Sequence, residues 1–144
     1  AVTEQNVDVR GGQGALFVFD MISMIDKDMI AVPVSESEVD IKVDLEKRGY
    51  LRGIITEDYK MGRYFSPLHF NTPDNIDSLY ANNDVELYVY GSDETENLAW
   101  PKGNNVELVK TYNEKLNALI AREVGVDDGR ETQFFNGGIL KYAR

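Results

Sequence analysis

The chain has no cysteine and one histidine, His69, among its 144 residues. Without cysteine there is no disulfide scaffold, thiol nucleophile, iron–sulfur cluster or thiolate zinc site. With His69 alone, any Ser-His-Asp arrangement would have to run through that residue, and no second imidazole or G-x-S-x-G elbow accompanies it. Positive charge is also scarce: 15 Lys+Arg face 25 Asp+Glu, a formal net charge of −10. Such a molecule repels phosphate backbones, which argues against nucleic acid as a direct ligand. Long hydrophobic runs are missing as well. The longest, Ala15–Phe19, is far short of the roughly 18–20 residues of a membrane helix, so no membrane partner is expected. Ala1–Asn6 has neither the basic nor the apolar region of a signal peptide.

A hydrophobic share of 42% and an aromatic share of 10% are enough to build a core, and 144 residues make one ordinary domain. Residues 1–14 read as an N-terminal arm, polar and with glycine at 11, 12 and 14. Within it Val7-Asp8-Val9-Arg10 alternates with period two, so the segment is either a frayed terminus or a strand awaiting a sheet edge. Ala15–Phe19 has the character of a buried strand. Met21–Ile25 is either a helical turn or a strand continuation, Asp26-Lys27-Asp28 a turn, and Met29–Val34 an edge strand because of Pro33. Val39–Leu45 alternates apolar with charged residues. With Glu46–Gly49 as turn and Tyr50–Thr56 as return it predicts a hairpin over 39–56. Glu57–Gly62 is expected to turn, Arg63–Phe65 to form a short strand, 67–83 a loop, and Val85–Tyr90 a strand ended by Gly91.

The helix signal lies at about 105–123, where Leu108, Val109, Tyr112, Leu116, Leu119 and Ile120 form one stripe. Asn104 and Glu107 have capping-box spacing, and Gly125 is placed to end the helix. Residues 127–144 read as a C-terminal arm, leaving 15–126 as the domain. The expected fold class is α+β, mostly β: a small β-rich domain with one C-terminal helix and extended arms.

No set of residues assembles into a catalytic or metal site. Carboxylate pairs such as Asp26/Asp28 and Glu57/Asp58 follow from abundance, no window fits a calcium loop, and the glycines do not open a phosphate-binding helix. His69, set in Pro67-Leu68-His69-Phe70, reads as a packing residue. No cofactor is expected. The stretch Gly53–Gly62 is similar to a strand-turn piece of dUTPases, but the other nucleotide-contacting motifs of that family are not visible and a Tyr-containing hairpin turn is sufficient to account for it.

Over a longer span the chain resembles the lambda-type phage head decoration proteins. The resemblance is carried by Met61-Gly62-Arg63-Tyr64-Phe65-Ser66-Pro67 and by 85–124. There strand Val85–Tyr90 ends in Gly91, and the polar stretch Asp93–Asn97 and Leu98-Ala99-Trp100-Pro101-Lys102-Gly103 lead into the helix. It implies a non-enzymatic cement protein on the capsid exterior of a virion, a homotrimer that binds the major capsid protein and stabilises the shell through its N-terminal arm. A tail or fibre subunit of the same architecture is the alternative, and a dUTPase-like nucleotide hydrolase a further one.

The residues expected to meet partners are Val7, Val9, Arg10, Trp100, Pro101, Phe134, Phe135, Ile139 and Leu140. Val7 and Val9 would be buried by strand pairing, and Arg10 either meets a partner carboxylate or stays solvated. Trp100-Pro101 is either a core plug before the helix or a subunit contact. Phe134, Phe135, Ile139 and Leu140 together represent roughly 5–10 kcal/mol of burial at ~25 cal/mol/Å². They must therefore cover a second subunit or fold back on their own domain.

Overall fold

The structure is a computed structural model that describes residues 14–21, 23–24, 31–35, 38–91, 95–129 and 139–143, with backbone alone at 23–24, 31–35, 38–43 and 139–143. The expectations for Val7, Val9, Arg10, Phe134 and Phe135 lie outside the described residues. In chain order the elements are β1 (Ala15–Asp20), β2 (Ser23–Met24), β3 (Ala31–Ser35), β4 (Glu38–Asp44), β5 (Tyr50–Ile55), β6 (Tyr59–Phe65), a 3-10 turn (Pro67–His69), α1 (Ile76–Asn82), β7 (Asp84–Val89), α2 (Val106–Glu123) and β8 (Ile139–Ala143). The class is α+β, mostly β, as the sequence predicts.

Four antiparallel strands in the order β1-β5-β6-β7 make the main sheet. Period-two alternation sends Tyr50 and Ile54 of β5, Tyr59, Met61 and Phe65 of β6, and Val85 and Leu87 of β7 to one face, all buried. The helical stripe of α2 supplies the other half of the core through Val109, Leu116, Leu119 and Ile120, with Leu79 of α1 and Ala99 filling in. One helix covers one face of an antiparallel sheet, so the other face is not part of this core.

α2 begins one residue later than expected. Asn105, at φ 51°, occupies the N-cap without a side-chain cap bond, and its Nδ2 donates to the Leu98 carbonyl instead, so the capping box of Asn104 and Glu107 does not form. At the other end Gly125, at φ 90°, donates to the Ile120 carbonyl and stops the helix as expected. The 67–83 segment is not all loop. Asn75 accepts from Ser78 N–H at 2.9 Å and starts α1, which is only seven residues long and too short to show a period.

The hairpin over 39–56 is corrected. β4 and β5 do not pair with each other: from Ala15 to Ser35 the chain runs antiparallel to Glu38–Ile55 in three stretches, β1 on β5, β2 on β4 and β3 on β4. Residues 45–49 lie between the pairs Ser23↔Asp44 and Asp20↔Tyr50, so a longer segment faces a shorter one and bulges. The Leu45 carbonyl accepts from Leu68, and Met21 donates to the Gly49 carbonyl. Gly49 is obligatory there, since a Cβ would stand 2.3 Å from the Met21 oxygen. Charged turn chemistry marks where a chain bends, and it does not say which strands pair across the bend.

Within the Met21–Ile25 segment Ser23–Met24 are strand, and β6 starts at Tyr59, shortening the expected 57–62 turn. The tail residues Ile139 and Leu140 pair through their backbones with Lys42 and Ile41 of this same chain, the fold-back alternative for that part of the tail. Ala15–Phe19 is a strand, but not a buried one: Phe17, Val18 and Phe19 are 46%, 46% and 49% exposed, because Phe17 and Phe19 lie on the face of the sheet turned away from α2 and Val18 stands on its edge strand.

Candidate interaction surface

On the face turned away from α2, the cross-strand pair Gly53↔Gly62 removes side chains from the middle of the sheet. The result is a concavity of about 280 Å³ walled by Phe17, Leu51, Ile55, Tyr64 and Tyr88. Lys60 Nζ stands 4.8 Å from the Tyr88 ring centroid, and Tyr64 donates to Glu86 at 3.2 Å. Burial and then the Glu86 charge raise the pKa of both Tyr64 and Tyr88, so both remain neutral phenols at ordinary pH. Aromatic walls, a backbone floor and one charge of each sign suit the docking of another chain. Phe17, Phe19 and Ile55 continue the apolar surface outward, each close to half exposed.

The two edges of the sheet differ. At β7 the Asn97 side chain imitates a neighbouring strand: Oδ1 accepts from Leu87 N–H at 3.0 Å and Nδ2 donates to the Val85 carbonyl at 3.2 Å, while Leu98 N–H donates to Leu87 O at 2.8 Å. That edge is closed. At β1 the register to β5 is unbroken over six pairs, and among the described residues no strand lies on the far side. None of the usual protections, a lysine, a proline or a bulge, occurs in Ala15–Asp20.

Of the residues singled out in the sequence, Trp100 is 66% exposed, and Ala99 beside it takes the core position. A core-plug role for Trp100 is therefore excluded. It lines a second hollow, about 170 Å³, with Tyr80, Glu86 and Lys102. Lys102 Nζ donates to the Tyr80 carbonyl at 2.9 Å. Pro101, joined to Trp100 by a cis peptide, is exposed. His69 is exposed rather than packed: Ser66 Oγ lies 3.2 Å from its Nδ1 and accepts from its N–H, so the imidazole closes a local turn while Phe70 does the packing.

Two arginines that sequence reasoning passed over are buried side by side on the inner face, Arg52 opposite Arg63. Arg52 donates through Nε and NH2 to Asp127 at 2.7 and 3.1 Å and also pairs with Asp20, between the rings of Phe65 and Phe70. Burial pulls its pKa down, but the two carboxylates outweigh it and hold it above the ordinary value. This clamp ties β1, β5 and the segment after α2 together, and Thr72 adds a bond to the Asp127 carbonyl at 2.9 Å. Among the described residues Arg63 has no carboxylate in contact. Its NH1 donates to Asn113 at 2.7 Å and Asn117 at 2.6 Å, Nε and NH2 find no protein acceptor, and burial lowers its pKa to about 10.

Residues 53–62 form the β5–β6 hairpin, whose turn is closed internally by Thr56 Oγ1 accepting from Asp58 and Tyr59. Among the described residues no cluster of three or more His, Asp or Glu side chains is placed to hold a metal ion. No described helix is long and apolar enough to cross a membrane. Comparison with protein-family models, curated proteins and solved structures finds no match.

The aromatic face had one legible trace, the alternation of Leu51-Gly53-Ile55 and Lys60-Gly62-Tyr64. Asn97 had none, because its role depends on a loop folding against β7.

Proposed function

We propose that this chain is a non-enzymatic assembly protein, a capsid decoration subunit that sits on the outside of a viral head and cements it. The observation that carries an assembly role is the uncovered apolar face of the main sheet together with the open β1 edge, a surface built for contact with protein. The particular partner, the major capsid protein, comes from the sequence resemblance over 61–67 and 85–124, and so does the homotrimer. Exposed Trp100 is the anchor for that contact, since a large aromatic side chain desolvates much area at small entropic cost.

The test is to mix purified protein with phage heads stripped of decoration protein. Co-sedimentation and a rise in the melting temperature of the heads are expected. Neither occurring refutes the reading, and tubes or rings of the protein alone in negative stain would favour the tail or fibre alternative.

A further inference from the structure

We propose that two copies of this chain join through β1, antiparallel about a two-fold axis at Phe17, to make one continuous eight-stranded sheet. Among the described residues no strand lies on the far side of β1, which leaves its outward main-chain donors and acceptors for a partner, and Ala15–Asp20 holds no lysine, proline or bulge. A second copy fits because the strand is complementary to itself. With Phe17 opposite the partner copy's Phe17, Leu16 faces Val18 and Ala15 faces Phe19 across the junction. Every pair is apolar, and paired residues share a face, as antiparallel pairing requires. Leu16 and Val18 then extend the inner core, while Phe17 and Phe19 of both copies join the aromatic outer face. The one charge in the strand, Asp20, falls opposite glycine and is already held by Arg52.

The closed β7 edge explains why association stops at two. With Asn97 taking the Leu87 N–H and the Val85 carbonyl, and Leu98 the Leu87 carbonyl, a sheet that grows at β1 meets an occupied edge at its other end, so the contact is isologous and closed rather than filamentous. The pairing does not depend on capsid binding, so the two ideas fail separately, and a two-chain species in solution would replace the homotrimer that the resemblance implies.

Sedimentation of the full chain across a concentration series is expected to show a species of twice 16.3 kDa. Phe17→Lys puts two ammonium groups face to face at the axis and should weaken association roughly 100-fold, with unchanged circular dichroism, since Phe17 is half exposed. The chain has no cysteine, so Phe17→Cys gives a second readout. Directly opposed residues have Cα atoms about 4.5–5.5 Å apart, within disulfide reach, so mild oxidation should yield a covalent dimer. Tyr88→Cys, on β7 three strands away, should not crosslink. A monomer at every soluble concentration overturns the inference. So does an assembly, dimer or trimer, that ignores Phe17→Lys, or a Phe17→Cys protein that forms no dimer on oxidation.

Discussion

Arg52 and Arg63 are neighbours on one face of one sheet, equally buried, and replacing each with methionine should have opposite consequences. For Arg52 the partners decide. Arg52→Met leaves Asp127, 10% exposed, without its bidentate donor, while Asp20, at 37%, recovers water. Breaking a buried pair costs about 3–5 kcal/mol, and the hydration of Asp20 puts this case near the lower limit, about 3 kcal/mol. For Arg63 the charge itself is the burden. A pKa lowered by burial from the ordinary guanidinium range to about 10 corresponds to a charge penalty of about 3 kcal/mol at neutral pH. Against its removal stands Asn113 Oδ1, buried and left without a donor, at about 1–3 kcal/mol, whereas the half-buried Asn117 reaches solvent. Arg63→Met should therefore lie between neutral and about 2 kcal/mol more stable than the parent. The sign with pH follows. The folded-state pKa is below the unfolded one, so the penalty is complete below about pH 10 and is relieved as the pH rises above it, where the unfolded chain binds the extra proton. The advantage of Arg63→Met over the parent should shrink from about pH 9 to about pH 11.5. Urea unfolding of both variants at the two pH values measures all of this. An Arg63→Met protein destabilised as much as Arg52→Met would refute the reasoning.

Two further outcomes are expected. Asn97→Ala removes an acceptor for Leu87 and Ala99 and a donor for Val85, which should cost about 2 kcal/mol in thermal or urea unfolding. It also opens the second sheet edge, so light scattering should report assemblies larger than two chains; a variant that stays dimeric would show that Asn97 is not what closes β7. Trp100→Ala, at an exposed site, should leave stability within about 0.5 kcal/mol of the parent and abolish retention on phage heads, and undiminished retention would remove Trp100 from the proposed contact.

How far the sequence alone carries the structure depends on the range of each interaction. The stripe of α2, the Gly125 stop, the strands at β1, β4, β5 and β7, and the α+β class were all legible, because hydrophobic period and glycine conformation act over a few neighbouring residues. Which strands pair was not. β4 has the clearest alternation in the chain, yet its partners are β2, β3 and β8, one of them about a hundred residues away, and a bend at 45–49 looks the same in sequence whether it closes a hairpin or interrupts one. The candidate surface shows the same division. Trp100 stood out by its residue type, but whether it plugs the core or faces solvent depended on Ala99 reaching the core first. Phe17 and Phe19 have the same apolar character in a central strand as in an edge strand, and only the sheet order and the side of the sheet on which α2 packs leave them at the surface. Arg52 and Arg63 are identical residues eleven positions apart. Tertiary packing alone brought Asp127 to one and two asparagines to the other, because the second partner of a buried charge arrives from a distant part of the chain.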